Sequence, residues 1–120
     1  MVKQRPLVVV VVEDDDDCRE LYELALERAG FVVHAAATVA EARAILATVR
    51  PHVLIADYAL PDGTGADVMK LCTSATPKVC LLLTGHRTKN VDATGFHIAL
   101  RKPIASDELI AVIKAHGAGM

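Results

Sequence analysis

Residues 7–12 (Leu-Val-Val-Val-Val-Val) are apolar at every position and nearly all β-branched. Both faces of that stretch need cover, which is the pattern of a strand inside a parallel sheet flanked by helices. From Asp16 the period becomes helical. Cys18, Leu21, Tyr22, Ala25, Leu26 and Ala29 recur at that spacing, an N-cap at Asp15 or Asp16 precedes them, and Gly30 is the stop. Residues 31–35 predict a second strand. Thr38 followed by Glu41 has the form of a capping box, opening a helix over Ala42, Ile45, Leu46 and Val49 that Pro51 ends. Further strands are predicted over 52–56, 78–83 and, as a short fifth, 98–101. A helix over 65–74 carries Val68, Met69 and Leu71. Ser106, Asp107 and Glu108 are expected to cap a last helix whose core face is Leu109, Ile110, Val112 and Ile113.

Strands alternating with helices predict an α/β fold, a doubly wound parallel sheet with right-handed crossovers and helices on both faces. In such a sheet ligands bind outside the carboxyl ends of the strands. The informative residues are therefore those just after each strand.

Composition narrows the partners. The 120 residues are 52% apolar and 23% charged, enough for one core, so a single domain over 1–120 is expected, with 1–6 and 117–120 as loose ends. Only Tyr22, Tyr58, Phe31 and Phe96 are aromatic and the net charge is −2, which argues against direct nucleic-acid binding by stacking or by phosphate tracking. Cys18, Cys72 and Cys80 are odd in number and form no Cys-x-x-Cys pair, so a reducing compartment fits better than a disulfide framework or a zinc site. The longest apolar run is too short to span a bilayer and no cleavable leader follows Lys3 and Arg5. A cytoplasmic protein without membrane insertion is expected, and the histidines at 34, 52, 97 and 116 share no ligand spacing.

The strand ends carry the candidate chemistry. Glu13-Asp14-Asp15-Asp16-Asp17 follows the first strand, Asp57 the third, Thr84-Gly85 the fourth and Lys102-Pro103 the fifth. Glu13, Asp14 and Asp57 offer hard oxygen ligands that suit a divalent cation of the magnesium kind. Asp57 is also a candidate nucleophile toward phosphorus, with Lys102 neutralising charge on the phosphoryl oxygens and Thr84 donating a hydroxyl. Each residue has a plainer reading: a solvated acidic turn, a turn aspartate, a hydroxyl bonded to backbone, a surface lysine. Asp16 and Asp17 suit the start of a helix, and Gly63 and Gly65 are expected to lend the loop backbone freedom.

Taken in order, Val12-Glu13-Asp14-Asp15, Leu54-Ile55-Ala56-Asp57 leading into Leu60-Pro61-Asp62-Gly63, Leu83-Thr84-Gly85 and Arg101-Lys102-Pro103 resemble the receiver domain of two-component response regulators, over nearly the whole chain. The resemblance implies a flavodoxin-like five-stranded sheet of order 2-1-3-4-5. It implies Asp57 as phosphoacceptor, Thr84 and Lys102 as switch and phosphate contacts, and a Mg2+ or Mn2+ site formed by Glu13, Asp14, Asp57 and the main-chain carbonyl of Ala59. It also implies a commonly cis Lys102–Pro103 bond. The expected function is a phosphorylation-dependent switch, not an enzyme. Its partners would be a sensor histidine kinase or a histidine phosphotransfer protein, and a downstream protein effector.

Two departures stand out. Ala99 occupies the position where the family usually has an inward-turning Tyr or Phe. The interval from Thr84 to Lys102 is about four residues shorter than usual, roughly one helical turn, so the helix between the fourth and fifth strands is expected to be stunted. Signalling through another surface, or through a backbone shift over 85–95, is therefore expected. His86 either borders the phosphoryl group or is a solvent-facing loop residue. The alternatives are a degenerate receiver that binds protein without phosphorylation, and a phosphatase of the haloacid dehalogenase type. The second needs an acid two residues after its nucleophile, where this chain has Ala59. The absence of a Gly-Lys-Ser/Thr loop or a Gly-x-Gly-x-x-Gly after the first strand argues against nucleotide hydrolysis.

Overall fold

The computed structural model describes residues 6–73, 76–85 and 91–117. The five valines of β1 (Val8–Val12) lie inside a parallel sheet in which β2 (Val32–Ala36) lies on one side of them and β3 (Val53–Asp57) on the other. β6 (Val79–Thr84) and β7 (Ile98–Arg101) extend it, giving the order β2-β1-β3-β6-β7. This is the expected 2-1-3-4-5 order once two short strands are set aside. Those two, β4 (Ala59–Leu60) and β5 (Gly63–Thr64), were not predicted and pair antiparallel with each other after Asp57.

Successive side chains of a strand point to opposite faces, and both faces are covered. Val9, Val11, Val53, Ile55, Leu81 and Leu83 pack under Tyr22 and Leu26 of α1 (Asp16–Arg28) and Leu109 and Ile113 of α4 (Ser106–His116). Val10, Val12, Leu54, Ala56 and Cys80 pack under Val39 and Ala42 of α2 (Val39–Leu46) and Val68 of α3 (Gly65–Lys70).

The helix ends show why the chain turns where it does. Asp15 is the N-cap of α1, accepting the Cys18 amide at 2.9 Å. Gly30, at φ +99°, closes the helix in a Schellman arrangement: its amide reaches Glu27 O and that of Phe31 reaches Leu26 O. Leu21 does not join the buried stripe and is 54% exposed. Thr38 caps α2 as expected, but Glu41 reaches back to the Ala37 amide, so the reciprocal bond falls one residue early. The reciprocal capping box is at Thr64 and Asp67, opening α3.

The second, third and fourth predicted strands each run one residue later than expected, as Val32–Ala36, Val53–Asp57 and Val79–Thr84, and three helix boundaries also differ. α2 ends at Leu46, short of Pro51, and Val49 packs against the core outside it. α3 ends at Lys70, and the amides of Leu71 and Cys72 make tighter i→i−3 bonds before the chain leaves the helix. The last helix is not capped by Ser106. Its N-cap is Ala105 without a side-chain bond, because the Leu109 amide reaches Ala105 O and starts the ladder one residue early. Asp107 and Glu108 still face the positive end of the helix.

At the amino end of the sheet two imidazoles complete the ladder. His52 and Val8 exchange bonds, His52 N–H to Val8 O at 2.8 Å and Val8 N–H to His52 Nδ1 at 2.9 Å. His97 and Cys80 repeat the arrangement, at 2.8 Å in both directions. No helix among the described residues is long and apolar enough to cross a membrane. Cys80 is buried, its thiol pushed up to about 11 by desolvation, while Cys18 and Cys72 are half-buried and all three are free.

Of the stretch expected to hold a stunted helix, residues 86–90 lie outside the described part, His86 among them, and 91–97 contain no helix. The ends expected to be loose also lie outside it, apart from Pro6 and Gly117.

Candidate functional site

The parallel register brings the ends of β1, β3, β6 and β7 to one edge. Glu13 follows β1 and is fully buried; Asp57 ends β3 and is 5% exposed. Asp14 is exposed, and one carboxylate oxygen from each of these three acids lies within 4.8 Å of the others. Lys102, just past β7, donates from Nζ to Glu13 Oε1 at 2.7 Å and to Asp57 Oδ2 at 3.1 Å. The Lys102–Pro103 bond is cis.

A buried carboxylate is costly unless paired. Burial raises the Glu13 pKa, and the Lys102 bond and the Asp15 amide, 3.2 Å from Oε2, pull against that rise. Burial alone would lower Lys102, but its bonds to Glu13 and Asp57 and the charges of both outweigh it and hold the ammonium above its ordinary value. The lysine is therefore cationic, and it neutralises part of an acidic cluster that would otherwise repel itself.

Thr84 ends β6, half-buried, with Oγ1 donating to Leu100 O at 3.4 Å. In this state it shows the plainer of its two readings, a strand-end hydroxyl on backbone. Its carbonyl accepts the Lys102 amide at 2.8 Å, which ties the lysine's main chain to β6. Ala59 is exposed in β4, paired with Thr64. Ala99 is exposed in β7, opposite Leu82.

Gly63 and Gly65 do not work through backbone freedom, since neither has a positive φ. A Cβ on Gly65 would lie 2.6 Å from Leu82 Cδ1 and 3.0 Å from Asp57 O, so the missing side chain lets α3 start directly against the end of β3. One on Gly63 would meet Asp67 Oδ2 at 2.7 Å.

Three supporting residues escaped the sequence reading. Asp62 accepts the amides of Val39 at 2.8 Å and Ala40 at 3.0 Å, fastening the loop after Asp57 to the N-terminus of α2. Those amides hold its pKa low. Arg19 donates to the Glu13 carbonyl at 3.0 Å and forms a 2.6 Å ion pair with Asp16, which raises its pKa. Tyr22 donates its hydroxyl to Ile104 O at 3.0 Å. Arg19 and Tyr22 follow the acidic run at helical spacing, and only that position linked them to the site.

The donor set fits a hard divalent cation: three clustered carboxylates, with one lysine to limit their repulsion.

Known proteins resemble the chain over most of its length. Residues 9–114 match the response regulator receiver domain family. The chain is 32% identical over 114 residues to the transcriptional regulatory protein GltR of Pseudomonas aeruginosa, covering 89% of this chain and 47% of that protein. It is 30% identical to an uncharacterised 14.6 kDa protein of Leptolyngbya boryana, covering 90% and 88% of the two. The CheY-like receiver domain of Methanospirillum hungatei superposes with a TM-score of 0.83 at 22% identity, over 92% of this chain and 93% of that one, a likeness of fold. The chain thus spans about half of GltR and most of the two smaller proteins, and over nearly all of its length it belongs to the receiver domain family of response regulators.

Proposed function

We propose that this chain is a phosphorylation-dependent signalling switch in which Asp57 accepts a phosphoryl group from a phosphohistidine of a sensor histidine kinase or a histidine phosphotransfer protein. The observation that carries the reading is the seating of Asp57: a nearly buried carboxylate at a strand end, 3.1 Å from a lysine ammonium and clustered with Glu13 and Asp14.

In the transfer an Asp57 oxygen uses a lone pair to form the O–P bond as the N–P bond of phosphohistidine breaks, its electron pair returning to the imidazole. Lys102 stays cationic and balances charge on the phosphoryl oxygens. Thr84 exchanges its long bond to Leu100 O for a phosphoryl oxygen, a small loss because 3.4 Å is already at the weak end for a hydroxyl donor. Mg2+ or Mn2+, held by Glu13, Asp14, Asp57 and the carbonyl of Ala59, would add positive charge beside the same oxygens. The chain would act once per phosphoryl group, losing it again by self-catalysed hydrolysis, and would inform a protein effector. Three free thiols suit a reducing, cytoplasmic setting.

A second reading, a receiver that binds protein without phosphorylation, is favoured by exposed Ala99, which supplies no ring to follow Thr84. One experiment separates the two. Incubation with Mg2+ and acetyl phosphate is expected to add one phosphoryl mass to the wild type and none to Asp57→Asn. No adduct on the wild type, or the same adduct on the variant, overturns the first reading. Sustained release of phosphate over many turnovers would mark an enzyme instead.

A further inference from the structure

Tyr22 is 3% exposed, and a buried phenol needs a partner for its hydroxyl. It finds one 82 residues away, donating to Ile104 O at 3.0 Å. Ile104 stands two residues after Lys102, on the far side of Pro103, and its side chain packs on the same core cluster as the Tyr22 ring. The main chain that carries Lys102 is thus held twice. Before the lysine side chain branches, the Lys102 amide is bonded to Thr84 O; just after it, Ile104 is bonded to Tyr22. One helical turn earlier on α1, Arg19 holds the carbonyl of Glu13, the acid that Lys102 contacts most closely. A single helix therefore grips both backbone segments whose side chains meet in the site.

We propose that Tyr22 is a positioning residue. Its hydroxyl, acting through the Ile104 carbonyl, fixes the Lys102 ammonium against Glu13 and Asp57 at the distance that phosphoryl acceptance needs. The inference rests on the reading of Asp57 as phosphoacceptor, but its effect on Lys102 is measurable without any phosphoryl group. The ring fills the core whether or not it carries oxygen, so Tyr22→Phe separates the hydroxyl from the packing. With the hydroxyl gone, the backbone after Lys102 loses its tether to α1 and the ammonium leaves its two carboxylates more often.

The test takes two readouts. The first is acetylation of Lys102 by an amine-reactive acetyl ester, followed by peptide mass spectrometry, with exposed Lys114 as internal reference. In Tyr22→Phe the Lys102 rate is expected to rise several-fold while that of Lys114 stays the same. The second is the rate of Asp57 phosphorylation as a function of acetyl phosphate concentration. The maximal rate is expected to fall roughly tenfold with the half-saturating concentration unchanged, within the hundredfold that a misplacement of about 1 Å can produce. Unchanged Lys102 reactivity overturns the proposal whatever happens at Asp57. Raised reactivity with an unchanged maximal rate overturns the role in phosphoryl acceptance. A wild type that takes no phosphoryl group, together with raised Lys102 reactivity in Tyr22→Phe, overturns the proposed function and leaves the positioning supported. Should Tyr22→Phe fail to fold, the same measurements are made with 4-aminophenylalanine at position 22, a weaker donor on the same ring. Lys102 reactivity above the wild-type rate together with a lowered maximal phosphorylation rate supports the proposal, and wild-type values for both overturn it.

Discussion

Lys102 sits closer to Glu13, at 2.7 Å, than to Asp57, at 3.1 Å, so the lysine beside the candidate acceptor is also the counter-ion of a fully buried glutamate. Lys102→Met removes the only side-chain cation bonded to either acid among the described residues. At neutral pH the variant should lose about 2–3 kcal/mol, less than the roughly 3–5 kcal/mol for breaking a fully buried pair, because the lysine side chain is 24% exposed. The deficit should shrink at acidic pH, where Glu13 can take up a proton. Urea unfolding at the two pH values checks this, and an equal deficit at both would contradict it.

Glu13 gives a second pH signature. Its pKa is raised by burial, so the folded protein holds that proton more tightly than the unfolded chain does. Its contribution is most favourable below about 4.3, where an unfolded glutamate titrates. It is lost as the pH rises through the elevated folded value. Metal-free wild type should therefore lose stability relative to Glu13→Gln across that window as the pH increases. Mg2+ held at the proposed site would favour the ionised acid and should stabilise the wild type more than the variant. Thermal unfolding with and without Mg2+, at several pH values, measures both effects.

Asp62 runs the other way. Its pKa is depressed by the amides of Val39 and Ala40, so the stability it supplies is present above about 3.9, the unfolded value, and disappears as the pH falls through the lower folded one. Asp62→Asn should lower the unfolding midpoint at pH 7 and match the wild type once Asp62 is protonated. Increased amide exchange in the first turn of α2 would place the loss at that helix end.

Two glycines should fail for different reasons. Gly30→Ala has open space around its Cβ but keeps a φ of +99°, and should cost about 1–2 kcal/mol through the backbone alone. Gly65→Ala forces Leu82 and the Asp57 carbonyl apart and should cost about 1–3 kcal/mol as overpacking. Only Gly65→Ala should also slow phosphoryl uptake from acetyl phosphate, because Gly30 lies at the other end of the sheet.

The alternation of strands and helices and the placing of Glu13, Asp57, Thr84 and Lys102 at strand ends were legible because each depends on local pattern: a valine run, a change of period, a polar residue closing an apolar strand. The strand order, a matter of long-range pairing, followed only from the family resemblance. What stayed hidden depends on distant partners. Nothing near Asp62 in the sequence says that its carboxylate will cap α2, and nothing near Tyr22 points to Ile104. Gly65 was misread because a glycine that gives up a side chain for space looks the same in sequence as one that gives it up for torsional freedom. Leu21 shows the limit of periodicity, which places a residue on a face without saying how far the cover extends.

The imidazoles of His52 and His97 each use Nδ1 as an acceptor toward a neighbouring strand, which puts the ring proton on Nε2. Folding thereby selects a tautomer that the free amino acid does not hold fixed. The two rings are built-in reporters of the sheet's amino end, and their nitrogen resonances should separate unfastening of that end from any rearrangement among the acids and lysine at the opposite edge.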